Sequence, residues 1–564
     1  MYFLFLGKII ISKKDDNKKD RKLKKEIKMK TQLFYHGDII TMDEENESPE
    51  AMFIRNGIIK KIGTLSEVEQ LVEKETKIID LQGKTLMPGF IDSHSHIVAF
   101  AQTLKFVNLS DCKSIHEIIE KLKQRKESQK IENKKWIIGF GYDPYLLKEK
   151  RHPTNLELDE VSKQNPILIS HVSGHMGVTN SYGLKLMQIH ENTPDIPGGH
   201  YGRNEKDGTL NGYLEENAFI QNAKVANQIS DDEMVELLQE AQKIYLKNGI
   251  TTLQDGLTKQ QEWKLLKKAA EEKKIMVDTV CYIDISASEE ILQEKENVRN
   301  NREETESKQA EYYHHLKIGG YKIILDGSPQ GKTAWLSSPY ENEKEYKGYP
   351  AKRNEEVEKA IQLALQNKMQ ILAHCNGDEA INQFITALEK FPKEEIQAIR
   401  PVVIHAQMIR KEQLKKLKEL NAIPSFFNTH TYYWGDIHIK NLGWERAKAI
   451  SPAKTAKDLQ LKFTFHQDTP VLPPNMLENV WCAVNRMTKD GKVLGEEEKI
   501  DVYSALKAIT INGAYQYFEE NKKGSFKEGK LANMVVLDQN PLKIEPKEIK
   551  NIAILKTFIE GEEK

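Results

Sequence analysis

Two histidines one residue apart, His94 and His96, end an apolar run that begins at Leu86. Successive side chains of a β-strand point to opposite faces, so these two imidazoles would share one face of a strand. Two neutral imidazoles on one face can bind a single divalent metal. Two unrelated surface histidines would give the same pattern, so the metal interpretation depends on further ligands at the ends of other strands.

Four more residues with suitable chemistry lie in or just after short apolar runs. They are Lys322, His374, His405 and Asp468. Burial of a lysine lowers its pKa, and a neutral lysine can take up CO₂ to form a carbamate that bridges two metals. Lys322 could instead extend its ammonium group to water. Each residue alone is weak evidence, but together with the histidine pair they predict one metal centre.

Histidine and carboxylate ligands suit Zn²⁺, with Mn²⁺ or Fe²⁺ as alternatives, and leave a position open for water. Such a metal lowers the pKa of its water towards neutrality. Asp468 is then predicted to be both a ligand and the general base, which takes a proton from the attacking water and returns it to the leaving nitrogen. A carbamylated Lys322 would hold a second metal. We therefore expect one or two divalent ions.

Eight short apolar segments alternate with amphipathic helical segments over residues 87–519, which predicts an α/β fold with a (β/α)₈ TIM-type barrel. The predicted strands are 90–94, 251–254, 276–283, 321–325, 370–373, 402–404, 422–426 and 461–465. Enzymes on such barrels carry their chemistry where the strands finish, and the six residues lie there. The long gap after the first strand predicts an inserted subdomain at residues 103–240.

Both chain ends have a different pattern, with short apolar runs separated by Gly and Asp turns. Asn56-Gly57 between two such runs predicts a β-hairpin. We expect residues 31–86 and 520–564 to form one small β-sandwich domain. Residues 1–30 are predicted to be a disordered extension or the result of a start codon assigned too early. An export signal at the apolar first eleven residues is the alternative, although no cleavage site follows them.

The chain has 564 residues, of which 39% are apolar and 30% charged, as expected for a globular protein of two or three domains. Its net charge of −1 gives no electrostatic reason to expect nucleic acid or a membrane as partner. The four cysteines are widely spaced, which argues against disulfides and thiolate zinc sites. We expect a cytoplasmic protein with a small-molecule substrate, and a homodimer would be ordinary.

These motifs resemble the amidohydrolase superfamily of metal-dependent hydrolases. Residues 88–96 resemble its strand-one signature, and residues 524–537 resemble its C-terminal β segment. Residues 322–328, 374–378 and 468–471 resemble the branch that includes N-substituted formamide deformylase. The resemblance implies a barrel with a β-sandwich, and hydrolysis of an amide-type C–N bond by metal-bound hydroxide.

The resemblance also implies a role for each matching residue. His94 and His96 would bind the more buried metal, Lys322 would bridge, and His374 and His405 would bind the second metal. The chain departs from the branch at Gln467, where serine is usual, and at Asn533, where aspartate is usual. His466 beside the base is also unexpected.

Five further residues are candidates for contact with the substrate. His430 is predicted to stabilise an oxyanion, and the candidate substrate-binding residues are His171, His175, Asp326 and Trp434. Ordinary packing would explain several of them equally well. The predicted function is hydrolysis of an amide or formamide, with two alternatives: a deaminase of a cyclic amidine or nucleobase, and a catalytically silent binding protein. Lys322 favours the first, because superfamily deaminases typically hold one metal and need no bridging lysine.

Overall fold

The computed structural model describes residues 30–44, 48–226, 229–287, 291 and 312–564. The predicted N-terminal extension, residues 1–30, therefore lies outside the described residues except for Lys30. Within the described ranges, no helix is both long enough and apolar enough to cross a membrane.

Eight parallel strands form one curled sheet and follow one another across it in chain order. These strands are Phe90–Ile91, Ile250–Thr258, Asp278–Asp284, Leu316–Ile324, Gln370–Cys375, Val402–His405, Ile423–Phe426 and Thr464–Phe465. Every predicted barrel strand is present, with shifted ends. The prediction of an α/β fold with a TIM-like barrel is confirmed.

Backbone hydrogen bonds connect the end of the first strand to the segment that follows the eighth. The N–H of Asp468 donates to the carbonyl of His94 at 3.0 Å, and the N–H of His96 donates to the carbonyl of Thr469 at 2.8 Å. These bonds bring together the two edges of the sheet. They also place side chains from the start and the end of the barrel sequence beside each other.

Helices connect the barrel strands and follow the last of them. They are Ile97–Thr103, Asp231–Lys247, Gln260–Glu271, Asn354–Gln366, Asp378–Leu388, Lys393–Ile399, Lys411–Glu419, His430–Tyr433, Gly435–Leu442, Trp444–Lys448, Ala453–Asp458, Met476–Asn485, Val502–Ala508 and Ile511–Gln516. The helix Asp231–Lys247 shows how the sequence specifies them. The Ser230 hydroxyl accepts the N–H of Glu233 as an N-cap, and Val235 and Leu238 lie on its buried face against the barrel.

A six-stranded sheet lies between the first two barrel strands in the sequence. Its strands are Val107–Asn108, Ile137–Tyr142, Ile167–His171, Met176–Thr179, Gly199–Arg203 and Leu210–Glu216. Its helices are Ile115–Ser128, Asn155–Asp159, Ser181–Leu186 and Asn217–Ala226. Two apolar clusters of its own support this sheet.

Two small sheets come from the chain ends. The first contains Thr31–Tyr35, Ala51–Arg55, Ile58–Gly63 and Lys77–Asp80, with the short helix Leu65–Glu69 between the last two. The second contains Asp38–Ile39, Thr85–Pro88, Met534–Leu537, Ile554–Ile559 and Glu562–Glu563. The predicted hairpin is present, and its turn residues Asn56 and Gly57 have φ of 52° and 76°, as a type I′ turn requires. One apolar cluster, which includes Phe34 and Phe558, contains residues from both sheets.

Two predicted domain boundaries fall inside elements of the fold. Residue 86 lies within the strand Thr85–Pro88, and residue 240 lies within the helix Asp231–Lys247. The sequence shows only where the residue pattern changes. The hydrogen bonds that define a strand or a helix continue past these two positions.

A buried group of charges lies near the amino-terminal ends of the third and fourth barrel strands. Lys523 contacts both Asp278 and Glu519, and Glu519 also contacts Lys317. All four side chains are buried. Loss of one partner would leave an uncompensated charge in a medium of low polarity, which is far more harmful than loss of an exposed pair.

We expect Lys523→Met to lower the free energy of unfolding by about 3–5 kcal/mol. The matched control is Lys543→Met, because Lys543 is exposed and pairs with Asp38 at the surface; its effect should stay below about 1 kcal/mol. Urea titration of both variants provides the measurement. Equal effects would show that the buried charges contribute nothing specific to stability.

Candidate metal centre

Three of the predicted ligands, His94, His96 and Asp468, meet at the carboxyl-terminal ends of the first and eighth strands. Their ligand atoms all lie within 4.8 Å of one another. Oδ1 of Asp468 is 3.5 Å from Nε2 of His94 and 3.3 Å from Nε2 of His96. Two ligand atoms that bind one zinc ion tetrahedrally at about 2.1 Å lie roughly 3.4 Å apart. The spacing of these three residues therefore fits a shared divalent ion.

The other three predicted residues lie at the same site. Nζ of Lys322 is 3.2 Å from Nε2 of His94. Nε2 of His405 is 4.0 Å from Oδ2 of Asp468, and the ring centroids of His374 and His405 are 4.5 Å apart. The structure thus brings all six residues together, although their individual roles stay predictions.

A glutamine from the second barrel strand determines which nitrogen of His94 carries the proton. Nε2 of Gln254 donates to the carbonyl of Ser93 at 2.6 Å, so its Oε1 is the atom that lies 2.9 Å from Nδ1 of His94. Nδ1 must therefore donate, and the lone pair of His94 lies on Nε2, towards Lys322 and Asp468. Such a partner is what metal-binding histidines ordinarily have. Sequence reasoning missed Gln254, and its position at the end of a predicted strand was the available signal.

Burial controls the protonation of this site. It lowers the pKa of His94, His374 and His405 well below the ordinary histidine range, and the nearby Lys322 lowers each further. These rings are neutral and can act as ligands. Burial also lowers the pKa of Lys322 to about 7, while Asp468 opposes this change. Neutral imidazoles, one carboxylate and a readily deprotonated amine fit a divalent transition metal.

The carboxylate of Asp326 organises the loops after the fourth and fifth strands. It accepts the N–H groups of Asn376 at 2.9 Å, Gly377 at 2.7 Å and Trp335 at 3.1 Å. The side-chain amide of Asn376 lies 3.0 Å from Nε2 of His374. Asp326 was predicted to bind substrate, whereas these contacts hold the loop that orients His374.

Two of the predicted substrate-binding residues come from the inserted sheet. His171 ends the strand Ile167–His171, is buried, and has Nδ1 2.8 Å from the Ser173 hydroxyl. Nδ1 of His175 is 2.8 Å from a carboxylate oxygen of Glu216, and about half of its side chain is exposed. Against the effect of burial, Glu216 and, to a smaller extent, Asp468 raise the pKa of His175. The turn that carries His175 therefore lies near Asp468.

His430 and Trp434 follow the seventh strand and are both buried. Nδ1 of His430 is 3.1 Å from Nε2 of His438, and its ring centroid is 4.5 Å from that of Trp434. Phe427 connects them to the site, since its ring is 4.6 Å from His430 and 5.9 Å from His405. The predicted oxyanion and pocket roles of His430 and Trp434 stay predictions.

We expect His96→Ala to lower the amount of divalent metal that co-purifies with the protein, because it removes one of three ligands that share an ion. His36→Ala is the control, since His36 is an exposed histidine paired with Asp80 away from the site. Elemental analysis of both purified variants tests the prediction. Full metal content in His96→Ala would exclude His96 as a ligand.

Comparison with known proteins identifies the family of this chain. Residues 77–563 match the Amidohydrolase family. The putative amidohydrolase YtcJ of Bacillus subtilis (strain 168) is 27% identical over 545 residues, which cover 94% of this chain and 98% of that protein. The N-substituted formamide deformylase of Arthrobacter pascens is 24% identical over 539 residues, with coverage of 94% and 98%.

The fold is also similar to that of a solved structure, an uncharacterised metal-dependent hydrolase from Pyrococcus horikoshii OT3. The TM-score is 0.74 at 24% identity, over 92% of this chain and 99% of the other. The family match spans most of the sequence, and the predicted ligands converge at the carboxyl-terminal ends of the barrel strands. This chain therefore belongs to the amidohydrolase family of metal-dependent hydrolases.

Proposed function

We propose that the protein hydrolyses a non-peptide C–N bond, of amide or formamide type, in a small molecule. The observation that carries this proposal is the cluster of His94, His96 and Asp468, whose ligand atoms lie within 4.8 Å of one another, with Lys322 beside them. The similarity to the formamide deformylase, which covers nearly the full length of both chains, supports the type of bond.

His94, His96 and Asp468 would hold one divalent ion, and His374 and His405 a second. Zinc suits these ligands best, and manganese or iron is the alternative. When bound, the metal would act as a Lewis acid that activates water and polarises the carbonyl of the substrate.

Lys322 would connect the two ions as a carbamate. The neutral amine would attack CO₂, so that an N–C bond forms while one C=O π bond breaks and its electron pair moves to oxygen. The nitrogen would release its proton to water, and the product is a carbamate, which carries a carboxylate. This proposal explains why an amine whose burial lowers its pKa to about 7 lies 3.2 Å from a histidine ligand. A permanent ammonium group there would repel a metal cation.

Asp468 is the proposed proton carrier. It would accept a proton from the attacking water and deliver it to the leaving nitrogen. Its φ of 53° is a left-handed conformation, which aspartate adopts more readily than most residues with a side chain. The hydrogen bond from its N–H to the carbonyl of His94 helps to hold this conformation.

The remaining predicted residues would act on the substrate. We propose that His430 stabilises the oxyanion and that His171, His175 and Trp434 line the substrate pocket, with Asp326 supporting its wall. We also infer that the two sheets from the chain ends act as one β-sandwich domain, which is supported by the apolar cluster that they share.

We expect Asp468→Asn to lower the rate of amide hydrolysis about 10²–10⁴-fold, because the amide cannot accept the proton. The control is Asp490→Asn, since Asp490 is exposed at a surface turn. The assay reconstitutes each variant with Zn²⁺, Mn²⁺ or Fe²⁺ and measures amine release from a panel of N-formyl and N-acyl amines.

The same assay, with cyclic amidines and nucleobases added to the panel, separates the alternatives. Ammonia release from these compounds, without amide cleavage, would indicate the deaminase. Tight binding of a panel member with no turnover by any metal form would indicate a silent binding protein. An unchanged rate in Asp468→Asn would refute the proton-transfer role.

A further inference from the structure

We propose that His466 is a positioning residue that fixes the tautomer of the metal ligand His405 and so strengthens metal binding on that side of the centre. This inference rests on the proposed metal-dependent function, and it concerns a residue that the sequence motifs do not account for.

Three buried side chains from the sixth, seventh and eighth strands form a hydrogen-bonded series. The Ser425 hydroxyl is 2.8 Å from Nδ1 of His466, and Nε2 of His466 is 3.1 Å from Nδ1 of His405. Ser425 and His466 are fully buried, and His405 is 6% exposed. The free nitrogen of His405, Nε2, lies on the other side of its ring, towards Asp468.

Metal binding by His405 permits one arrangement of protons along this series. If Nε2 of His405 binds the metal, Nδ1 carries the hydrogen and donates it to Nε2 of His466. His466 must then carry its own hydrogen on Nδ1, where the oxygen of Ser425 accepts it. His466 is fully buried, and once its Nδ1 donates to Ser425 its Nε2 keeps the lone pair of the ring as the acceptor for His405.

The same task has a different solution at His94. The amide oxygen of Gln254 lies 2.9 Å from Nδ1 of His94 and accepts its hydrogen. His405 has an imidazole in the equivalent position. Partners of this kind typically improve metal affinity 10–100-fold.

His466 as an additional metal ligand is the main competing interpretation. The two ring nitrogens are 3.1 Å apart, a hydrogen-bond distance that is shorter than the roughly 3.4 Å between two tetrahedral ligands of one ion. For His466 to bind the metal, its ring would have to turn and break its bonds to both Ser425 and His405. The geometry therefore favours a positioning role.

The test measures metal affinity without substrate, by competition between the full-length protein and a chromogenic chelator for Zn²⁺ and Co²⁺. We expect His466→Leu, which removes the acceptor at similar volume, to weaken binding of the second equivalent about 10–100-fold. His466→Gln should retain most of the affinity, because its amide oxygen can accept the hydrogen of His405. Thermal unfolding of each variant verifies folding.

Ser425→Ala is an independent variant for the case in which His466→Leu does not fold. Without the hydroxyl, His466 can carry its hydrogen on Nε2, so His405 would lose the tautomer that binds metal. We expect weaker binding of the second equivalent in this variant too.

The outcomes distinguish this inference from the proposed function. Unchanged affinity in His466→Leu, or in Ser425→Ala if the former does not fold, overturns the positioning role alone. Equal loss of a whole metal equivalent in His466→Leu and His466→Gln also overturns it, in favour of direct ligation. A wild-type protein that binds no divalent metal overturns both proposals.

Discussion

The site depends on the meeting of the first and last strands of one sheet. Asp468 and the His94–His96 pair come from opposite ends of the barrel sequence, and no local preference could bring them together. The two backbone hydrogen bonds between these segments fix their distance, so the carboxylate lies 3.3–3.5 Å from both imidazoles. A slip of one residue between these edges would turn the ligands to opposite faces. The proposed metal site therefore forms only when the two edges of the sheet meet.

Orientation of the ligands is a separate requirement, and the chain satisfies it with residues from neighbouring strands. Gln254 and His466 contact Nδ1 of His94 and of His405, the nitrogens opposite those that face Asp468. These partners are buried, so each contact is made in a medium where an unpaired polar atom is costly. The barrel thus determines the tautomers of its ligands as well as their positions.

The sequence was sufficient to predict the barrel strands and the six residues that lie together at their ends, because both leave a local signal. Apolar runs with a polar residue at the end mark a buried strand that finishes at a barrel mouth. Gln254 and His466 also stand at the ends of predicted strands, but their roles were not predictable, since these depend on contacts with residues far along the chain. For Asp326 the motif suggested contact with substrate. In the structure its oxygens accept three backbone N–H groups, which lie close to it only after the loops have folded.

Buried polar groups at the two ends of the barrel have different partners. Near the amino-terminal ends, Lys523 and Lys317 meet Asp278 and Glu519, so positive and negative charges compensate each other. At the carboxyl-terminal ends, the atoms that face one another are mainly imidazole nitrogens and the oxygens of one carboxylate, all of which carry lone pairs. Lone pairs cannot satisfy one another by hydrogen bonding, whereas a divalent cation satisfies several at once. The fold therefore has compensated charges at the amino-terminal ends of the strands, and lone pairs without hydrogen-bond donors at the proposed metal site.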